Sequence, residues 1–128
     1  MMRARFAAVV AVLAGLPAAG SAAADLVQVR LIDDKFDPAE IVLEHGKPYR
    51  LHIENVGHEM HEFSARAFFR AAQVANPAAT LTNEASEVVL QPGQSRDIDL
   101  VAPAAAGTYE LTCPDHDWDG MIGKIVVR

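Results

Sequence analysis

The chain has 128 residues, a formal net charge of −6 at pH 7 and 51% hydrophobic residues. This length suits one domain with a single core, and the acidic balance argues against binding to nucleic acid, which requires a basic face. A single cysteine excludes an internal disulfide. No stretch after residue 25 is long and apolar enough to predict a transmembrane helix, so stable membrane insertion is not expected.

The first 24 residues have the pattern of a secretory signal peptide. A short basic start at residues 1–5 precedes an apolar run over residues 6–16, and three alanines end at Ala24 in a small-residue cleavage pattern. An uncleaved N-terminal anchor is the alternative, and the flanking residues match it less well. We therefore predict cleavage near Ala24, a periplasmic or otherwise exported protein, and one domain over residues 25–128.

The rest of the chain alternates between apolar and polar residues in short runs, which is the pattern of half-buried strands. Turn signals separate the runs, among them Asn-Val-Gly at residues 55–57 and Pro-Gly at residues 92–93. Many short strands with regular turn signals predict an all-β sandwich or barrel. The predicted strands span residues 26–31, 40–44, 49–54, 62–64, 87–90, 97–102, 108–112 and 121–127.

One segment departs from the strand pattern. Residues 65–75 contain good helix formers and few breakers, so we predict one short helix there, with Phe68 and Phe69 on its buried side. The segments at residues 33–38 and 78–86 are expected to form loops, because they lack a clear period and contain turn-forming residues.

The only cysteine lies in a polar loop with two further soft or borderline donors. Cys113 is followed by His116 and then by Met121, all within nine residues. A thiolate, an imidazole and a thioether suit copper better than calcium or magnesium. An unpaired cysteine in an exported protein is intermolecular, reactive or a metal ligand, and ligation best explains its place in this loop. His61 offers a second imidazole, and two histidines and a cysteine with a weak axial methionine describe a blue-copper electron-transfer site.

A neighbouring histidine, His58, competes with His61, because both follow the turn at residues 55–57. The period of two in a strand places residue 61 on the same face as Phe63, an expected core residue, and residue 58 on the opposite face. We therefore predict His61 as the inward ligand and His58 as an outward side chain. Met60 beside His58 leaves open a second, weaker copper contact.

Three carboxylates flank His116 in the same loop, at Asp115, Asp117 and Asp119, with Trp118 between them. A calcium-binding EF-hand loop is excluded, since no glutamate occupies the twelfth position from the first aspartate. The carboxylates are either solvated surface charges or an acidic rim that steers a basic redox partner. Trp118 is then either a packing lid or a contact anchor.

Taken together, the motifs resemble the cupredoxin family, with its plastocyanin-like and amicyanin-like members nearest. The resemblance implies a Greek-key β-sandwich with one short helix inserted, and one copper ion per chain near one end, alternating between Cu(I) and Cu(II). It implies His61, Cys113, His116 and Met121 as the ligands. Glu62 stands where many blue-copper proteins carry asparagine, so the hydrogen bonding that holds the ligand loop is expected to differ. The motifs that carry the resemblance are Phe36-x-Pro38-x2-Ile41, Asn55-x-Gly57-x3-His61-Glu62-Phe63, Pro92-Gly93, Gly107-Thr108-Tyr109 and Cys113-x2-His116-x4-Met121-x-Gly123.

Three functions are compatible with this ligand set. The first is a periplasmic type 1 copper protein that carries single electrons between redox partners. The second is a copper-binding protein for delivery or tolerance, in which the metal moves, and His58 and Met60 beside the site favour it slightly. The third is an accessory domain that docks on a membrane oxidase or reductase. An enzyme is not expected, because the sequence contains no second copper set, no nucleophile triad and no phosphate-binding glycine loop.

Charge bears on the choice of partner. Loss of Arg3 and Arg5 with the signal peptide leaves nine basic and seventeen acidic residues, a net charge of −8. This charge speeds encounter with a basic docking face, such as that of a cytochrome c-like protein or a membrane oxidase or reductase. Simple solubility is the alternative explanation. We expect a monomer.

Overall fold

Two five-stranded sheets form the part of the protein that the computed structural model describes, which comprises Gly15 and residues 23–128. The predicted signal peptide at residues 1–24 lies almost wholly outside the described residues. The strands are β1 (Asp25–Ile32), β2 (Lys35–Asp37), β3 (Glu40–Leu43), β4 (Pro48–Asn55), β5 (His61–Ser64), β6 (Gln73–Val74), β7 (Glu87–Leu90), β8 (Ser95–Val101), β9 (Gly107–Thr112) and β10 (Ile122–Val127).

Two short helices, α1 (Arg66–Ala71) and α2 (Pro77–Thr80), interrupt the succession of strands, and Asp117–Asp119 forms a 3-10 turn. Neither helix is long or apolar enough to cross a membrane, nor is any other helix in the described part of the chain. The prediction of one inserted helix is confirmed in kind, and α2 is an addition to it.

The strands are joined in an order that differs from their order along the chain. One sheet runs β2-β1-β4-β8-β6 and the other runs β3-β10-β9-β5-β7. The pairs β1 with β4 and β3 with β10 are parallel, and the remaining pairs are antiparallel. The predicted all-β Greek-key sandwich is therefore confirmed.

The core consists of alternate side chains from the strands. On β4, Tyr49, Leu51 and Ile53 are buried while the residues between them are more exposed, because successive side chains point to opposite faces. The same alternation on β5 buries His61 together with Phe63. One predicted ligand is thus part of the inward face of a strand, and the pleat fixes its direction.

The helix is shorter than predicted, because strand pairing replaces its second half. The predicted helix covers residues 65–75, but α1 ends at Ala71 and the next residue is extended. Gln73 and Val74 then pair with β8 as β6, so tertiary hydrogen bonding overrides local helix propensity. Phe68 and Phe69 are buried, as predicted.

The two predicted loops also contain regular structure. Residues 33–38 include β2, which pairs with β1, and its middle residue Phe36 is buried in the core. The last three residues of α2 occupy the start of the predicted loop at residues 78–86. Both elements are four residues or fewer, too short for a periodic pattern to be recognisable in the sequence.

Candidate metal centre

Neighbouring strands of one sheet bring the predicted ligands together at one end of the sandwich. His61 is the first residue of β5, and Cys113 directly follows the last residue of β9. The two strands are antiparallel neighbours, paired at Ser64 and Thr112. Because adjacent strands lie roughly 5 Å apart, this pairing places the cysteine beside the start of β5, and the backbone N–H of Glu62 donates to Cys113 Sγ at 3.3 Å.

Both imidazoles turn the same nitrogen toward the sulfur. Cys113 Sγ lies 3.4 Å from His116 Nδ1 and 4.0 Å from His61 Nδ1. The two imidazole rings are 4.7 Å apart between centroids, and one ligand atom from each of the three residues lies within 4.8 Å of the others. The structure therefore brings together three of the four predicted ligands in an arrangement that is suited to a metal ion.

The donor spacing fits a single ion. Bonds of about 2.0–2.3 Å to nitrogen and sulfur, at trigonal or tetrahedral angles, separate neighbouring donors by roughly 3.3–3.8 Å. The observed sulfur–nitrogen distances of 3.4 and 4.0 Å lie in or near this range. Two imidazoles and one thiolate form the in-plane set of a blue-copper site, so the donor chemistry fits copper as well.

The ligand loop folds back so that Met121 meets Cys113. The backbone N–H of Cys113 donates to the carbonyl of Met121, and the N–H of Met121 donates to the carbonyl of His116, each at 3.2 Å. Gly120 has a φ of +91°, a conformation that favours glycine and reverses the chain. Met121 is fully buried, and its role as an axial ligand stays a prediction.

Two carboxylates hold the outer nitrogens of the imidazoles. The Nε2–H of His61 donates to Asp33 Oδ1 at 2.9 Å, and the Nε2–H of His116 donates to Glu59 Oε2 at 2.8 Å. Hydrogen bonds from His61 and, next in importance, from His58 hold the pKa of Asp33 far below its usual range. Sequence reasoning assigned no role to Asp33 or Glu59. The turn after β1, which contains Asp33, meets the ligands only in the folded chain, so no spacing pattern points to it.

The buried thiol is surrounded by backbone donors. Burial raises the pKa of Cys113, while backbone hydrogen bonds from Glu62, His116 and Asp115 lower it in smaller measure. Such N–H groups aimed at sulfur stabilise negative charge on it, so they offset part of the cost of burying a thiolate. Metal binding removes the thiol proton outright.

Glu62 stands where asparagine is expected, and its backbone N–H supplies part of the hydrogen bonding that holds the ligand loop. Its N–H contacts the sulfur, as described above, whereas its carboxylate is partly buried and Oε2 has no hydrogen-bond partner among the described residues. Burial raises the pKa of Glu62, and the nearby negative charge of Glu87 raises it further. The ligand loop is held by the Glu62 main chain, in the absence of an asparagine side chain there.

Asn55 organises the loop that leads to His61. Its buried side chain donates to the carbonyls of Glu59 and Leu90 at 2.8 Å each, and accepts from the N–H of Gly57 at 2.9 Å. This amide closes residues 55–60 into a compact turn and joins the turn to the end of β7, which fixes the entry of β5.

The prediction that His58 points outward is confirmed. Its side chain is 94% exposed and bonds Asp33 through Nδ1 at 2.7 Å. His58 does not belong to the donor cluster, and Met60 is only partly buried. The aspartates at positions 115, 117 and 119 are exposed, as is Trp118, whose indole N–H donates to the carbonyl of Asp115 at 3.0 Å.

Comparison with known proteins identifies the family. The sequence model that describes the cupredoxin-like domain family matches residues 5–127 of this chain. The chain belongs to the cupredoxin family. The resemblance found in the sequence is therefore confirmed. Cupredoxins bind copper, and the cluster of His61, Cys113 and His116 could hold a metal ion.

A copper-resistance protein and an auracyanin are among the proteins similar to this chain. The copper-resistant cuproprotein CopI of Rubrivivax gelatinosus is 32% identical over 130 residues, covering 89% of this chain and 73% of CopI. Auracyanin B is 26% identical with a TM-score of 0.61, covering 85% of this chain and 92% of its own.

Two further structures share the fold alone. Dithionite-reduced auracyanin from Roseiflexus castenholzii has a TM-score of 0.60 at 19% identity, covering 84% of this chain and 99% of its own. A multicopper oxidase has a TM-score of 0.60 at 12% identity, covering 84% of this chain and 45% of its own. The fold thus occurs both as a separate small protein and as part of a longer chain.

Proposed function

We propose that the protein is a periplasmic type 1 copper protein that carries one electron at a time between redox partners. The observation that carries the proposal is the buried sulfur of Cys113 with Nδ1 of His61 and Nδ1 of His116 turned toward it. Met121 completes the set as a weak axial ligand. Bound copper supplies the one-electron couple between Cu(I) and Cu(II), and the protein holds the donors in place.

The restraint on the ligands favours movement of the electron over movement of the metal. Cys113, His61 and Met121 are fully buried, and each imidazole is hydrogen-bonded on its outer nitrogen. Packed side chains resist displacement. Ligands held in this way should therefore keep their positions when the charge on the ion changes. They also resist the stepwise ligand exchange that handing over a metal requires.

His116 is the proposed route for the electron. Its side chain is 14% exposed, whereas the other two donors are sealed from solvent. Exposed acidic residues form an acidic rim here: Glu59 accepts from His116 Nε2–H, and Asp115, Asp117 and Asp119 flank His116 along the loop. This acidic rim, with a mature net charge of −8, supports docking of a basic partner by electrostatic steering. We infer a monomer. We also infer no enzymatic activity, because four protein ligands leave no position on the ion for a substrate.

Copper tolerance or delivery is the second candidate. It is favoured by the 32% identity to the copper-resistant cuproprotein CopI over 89% of this chain. The exposed His58 and the partly buried Met60 beside the site offer additional soft or borderline donors for an arriving ion. In this case the metal, rather than the electron, is what the protein exchanges.

Absorption spectroscopy of the exported protein loaded with Cu(II) tests the first proposal. We expect a strong visible thiolate-to-copper band that disappears on reduction and returns on reoxidation with the metal retained. Cys113→Ser should abolish the band, because it removes the thiolate, whereas His58→Ala is the matched control and should keep it.

The outcomes separate the candidates. A band that survives Cys113→Ser would refute the ligand assignment. A colourless protein that binds Cu(I) tightly and passes it to a competing chelator would favour tolerance or delivery. Retention of copper through repeated redox cycles in the presence of that chelator would favour electron transfer.

A further inference from the structure

We propose that Asp33 is a positioning residue that fixes the metal-facing nitrogen of His61 and biases the copper couple toward Cu(II). This inference rests on the proposed copper site and adds to it a residue from outside the ligand motifs. Asp33 lies in the turn between β1 and β2, 28 positions before His61.

The hydrogen bond from His61 to Asp33 selects the tautomer of the imidazole. A carboxylate accepts hydrogen bonds only, so the proton of a neutral His61 must lie on Nε2, 2.9 Å from Asp33 Oδ1. Nδ1 is then left with a free lone pair, and this is the nitrogen that faces Cys113 Sγ. The ring thus presents a donor to the ion without any rearrangement on binding.

Asp33 is itself held by further hydrogen bonds. Oδ1 also accepts from the backbone N–H of His58 at 2.9 Å, and Oδ2 accepts from the His58 ring at 2.7 Å. The backbone N–H of Val56 donates to the carbonyl of Leu31 at 3.0 Å, so the segment before His58 is docked on the end of β1 as well. The carboxylate therefore has one well-defined orientation toward the ligand.

The glycine at position 57 makes room for this contact. A Cβ at Gly57 would overlap Asp33 Oδ1 and would lie only 2.8 Å from His61 Nε2. Neither atom has room to yield without lengthening the hydrogen bond between them. Gly57 is not among the residues with positive φ, so space, rather than backbone conformation, explains the glycine. The absence of a side chain at this position therefore allows the close approach of Asp33 to His61.

The negative charge of Asp33 makes His61 a stronger donor to the metal. A carboxylate that accepts the Nε2–H bond raises the basicity of the ligating nitrogen, and loss of such partners typically costs about 10–100-fold in metal affinity. The effect is larger for Cu(II), which carries more charge than Cu(I). Because Cu(I) loses part of its affinity as well, Asp33→Asn should lower the affinity for Cu(II) relative to Cu(I) by at most about 10–100-fold. At 59 mV per tenfold change for a one-electron couple, the reduction potential then rises by at most about 60–120 mV.

Glu59 provides an internal comparison. It makes the corresponding bond to His116, but its side chain is 64% exposed, against 36% for Asp33. Exposed ion pairs are weakened by solvent and salt. Glu59→Gln is therefore expected to raise the potential by less than Asp33→Asn does.

The test combines a measurement without metal with one on the copper-loaded protein. In the copper-free protein, ¹H–¹⁵N correlation spectra should report the Nε2–H tautomer of His61 in the wild type and in Asp33→Asn, which keeps an acceptor oxygen. Asp33→Ala should lose the single tautomer. In the loaded protein, voltammetry should report a raised potential for Asp33→Asn and for Gly57→Ala, which keeps the carboxylate but displaces it.

Asp34→Asn is the matched control, because it removes the same charge from the adjacent exposed residue of the same turn. Its potential should equal that of the wild type. A potential for Asp33→Asn within error of Asp34→Asn, or an unchanged His61 tautomer in Asp33→Ala, would overturn the inference. Failure of the wild type to show a thiolate-to-copper band would instead overturn the proposed function. The metal-free spectra then still test the positioning role, and they do so even where Gly57→Ala fails to fold.

Discussion

At the residue scale, the site combines donors of similar softness that differ in their access to solvent. Cys113 and His61 are sealed, and only His116 reaches the surface. Loop spacing predicts Cys113 and His116 as ligands, strand alternation and the family resemblance favour His61 over His58, and the structure places these three side chains in one cluster. The carboxylate on His61 was not predictable, because nothing in the local sequence connects a turn at residue 33 with a strand that begins at residue 61.

Met121 is the proposed ligand whose contribution is most open to measurement. We expect Met121→Leu to retain copper and to raise the reduction potential, because the axial ligand of a trigonal copper site tunes the potential without dominating the binding. Voltammetry and metal analysis check both parts. Met60→Leu is the matched control, since Met60 lies outside the ligand loop and is only partly buried. Complete loss of copper in Met121→Leu would contradict an axial role.

At the scale of the elements, strands were predicted more accurately than the helix and the loops. A strand such as β4 shows its buried side directly in the sequence, as alternating Tyr49, Leu51 and Ile53. The end of α1 depends instead on an edge of a sheet formed much later in the chain, where β8 offers partners to Gln73 and Val74. Local propensity carries no information about such a distant partner.

The helix α1 nevertheless contributes side chains to the core. Phe68 is fully buried, with its ring 5.5 Å from that of Phe69 and 5.8 Å from that of Tyr109 on β9. We expect Phe68→Ala to lower the free energy of unfolding by about 3–5 kcal/mol, the usual cost of removing a buried phenylalanine. Urea unfolding of the copper-free protein measures the change.

The exposed Arg70 on the same helix supplies the control for that measurement. Arg70→Ala should alter the free energy of unfolding by no more than about 0.5 kcal/mol, as is usual for surface positions. A loss below about 1 kcal/mol for Phe68→Ala would mean that the helix is not integrated into the sandwich.

At the scale of the whole molecule, the acidic charge and the partly exposed His116 indicate the same surface for docking of a redox partner. His116 is the one proposed ligand imidazole that reaches solvent, exposed acidic side chains lie beside it in the ligand loop, and residues 25–128 carry nine basic against seventeen acidic residues. We therefore expect electron transfer to a basic cytochrome c to slow as ionic strength rises from 0.01 to 0.15 M, because the screening length falls from about 30 Å to about 8 Å. Stopped-flow kinetics check this.

An acidic cytochrome of similar potential is the matched comparison for this experiment. Its reaction should be slower at low salt and should speed up as salt is added, since repulsion between like charges is then screened. Rates that do not depend on salt with either cytochrome would contradict steering by the acidic rim and would leave solubility as the role of the net charge.

The close approach of Asp33 and His61 to the backbone of Gly57 has a practical consequence for protein engineering. Transplanting residues 113–121 into another sandwich would carry over three of the proposed donors but would leave behind Asp33 in the turn after β1 and Gly57 in the turn after β4. A recipient scaffold with a larger residue at the equivalent of Gly57 should therefore acquire the colour of the donor protein without its redox properties. Hybrid proteins of this kind would have to inherit three connections together, namely those between β1 and β2, between β4 and β5, and between β9 and β10.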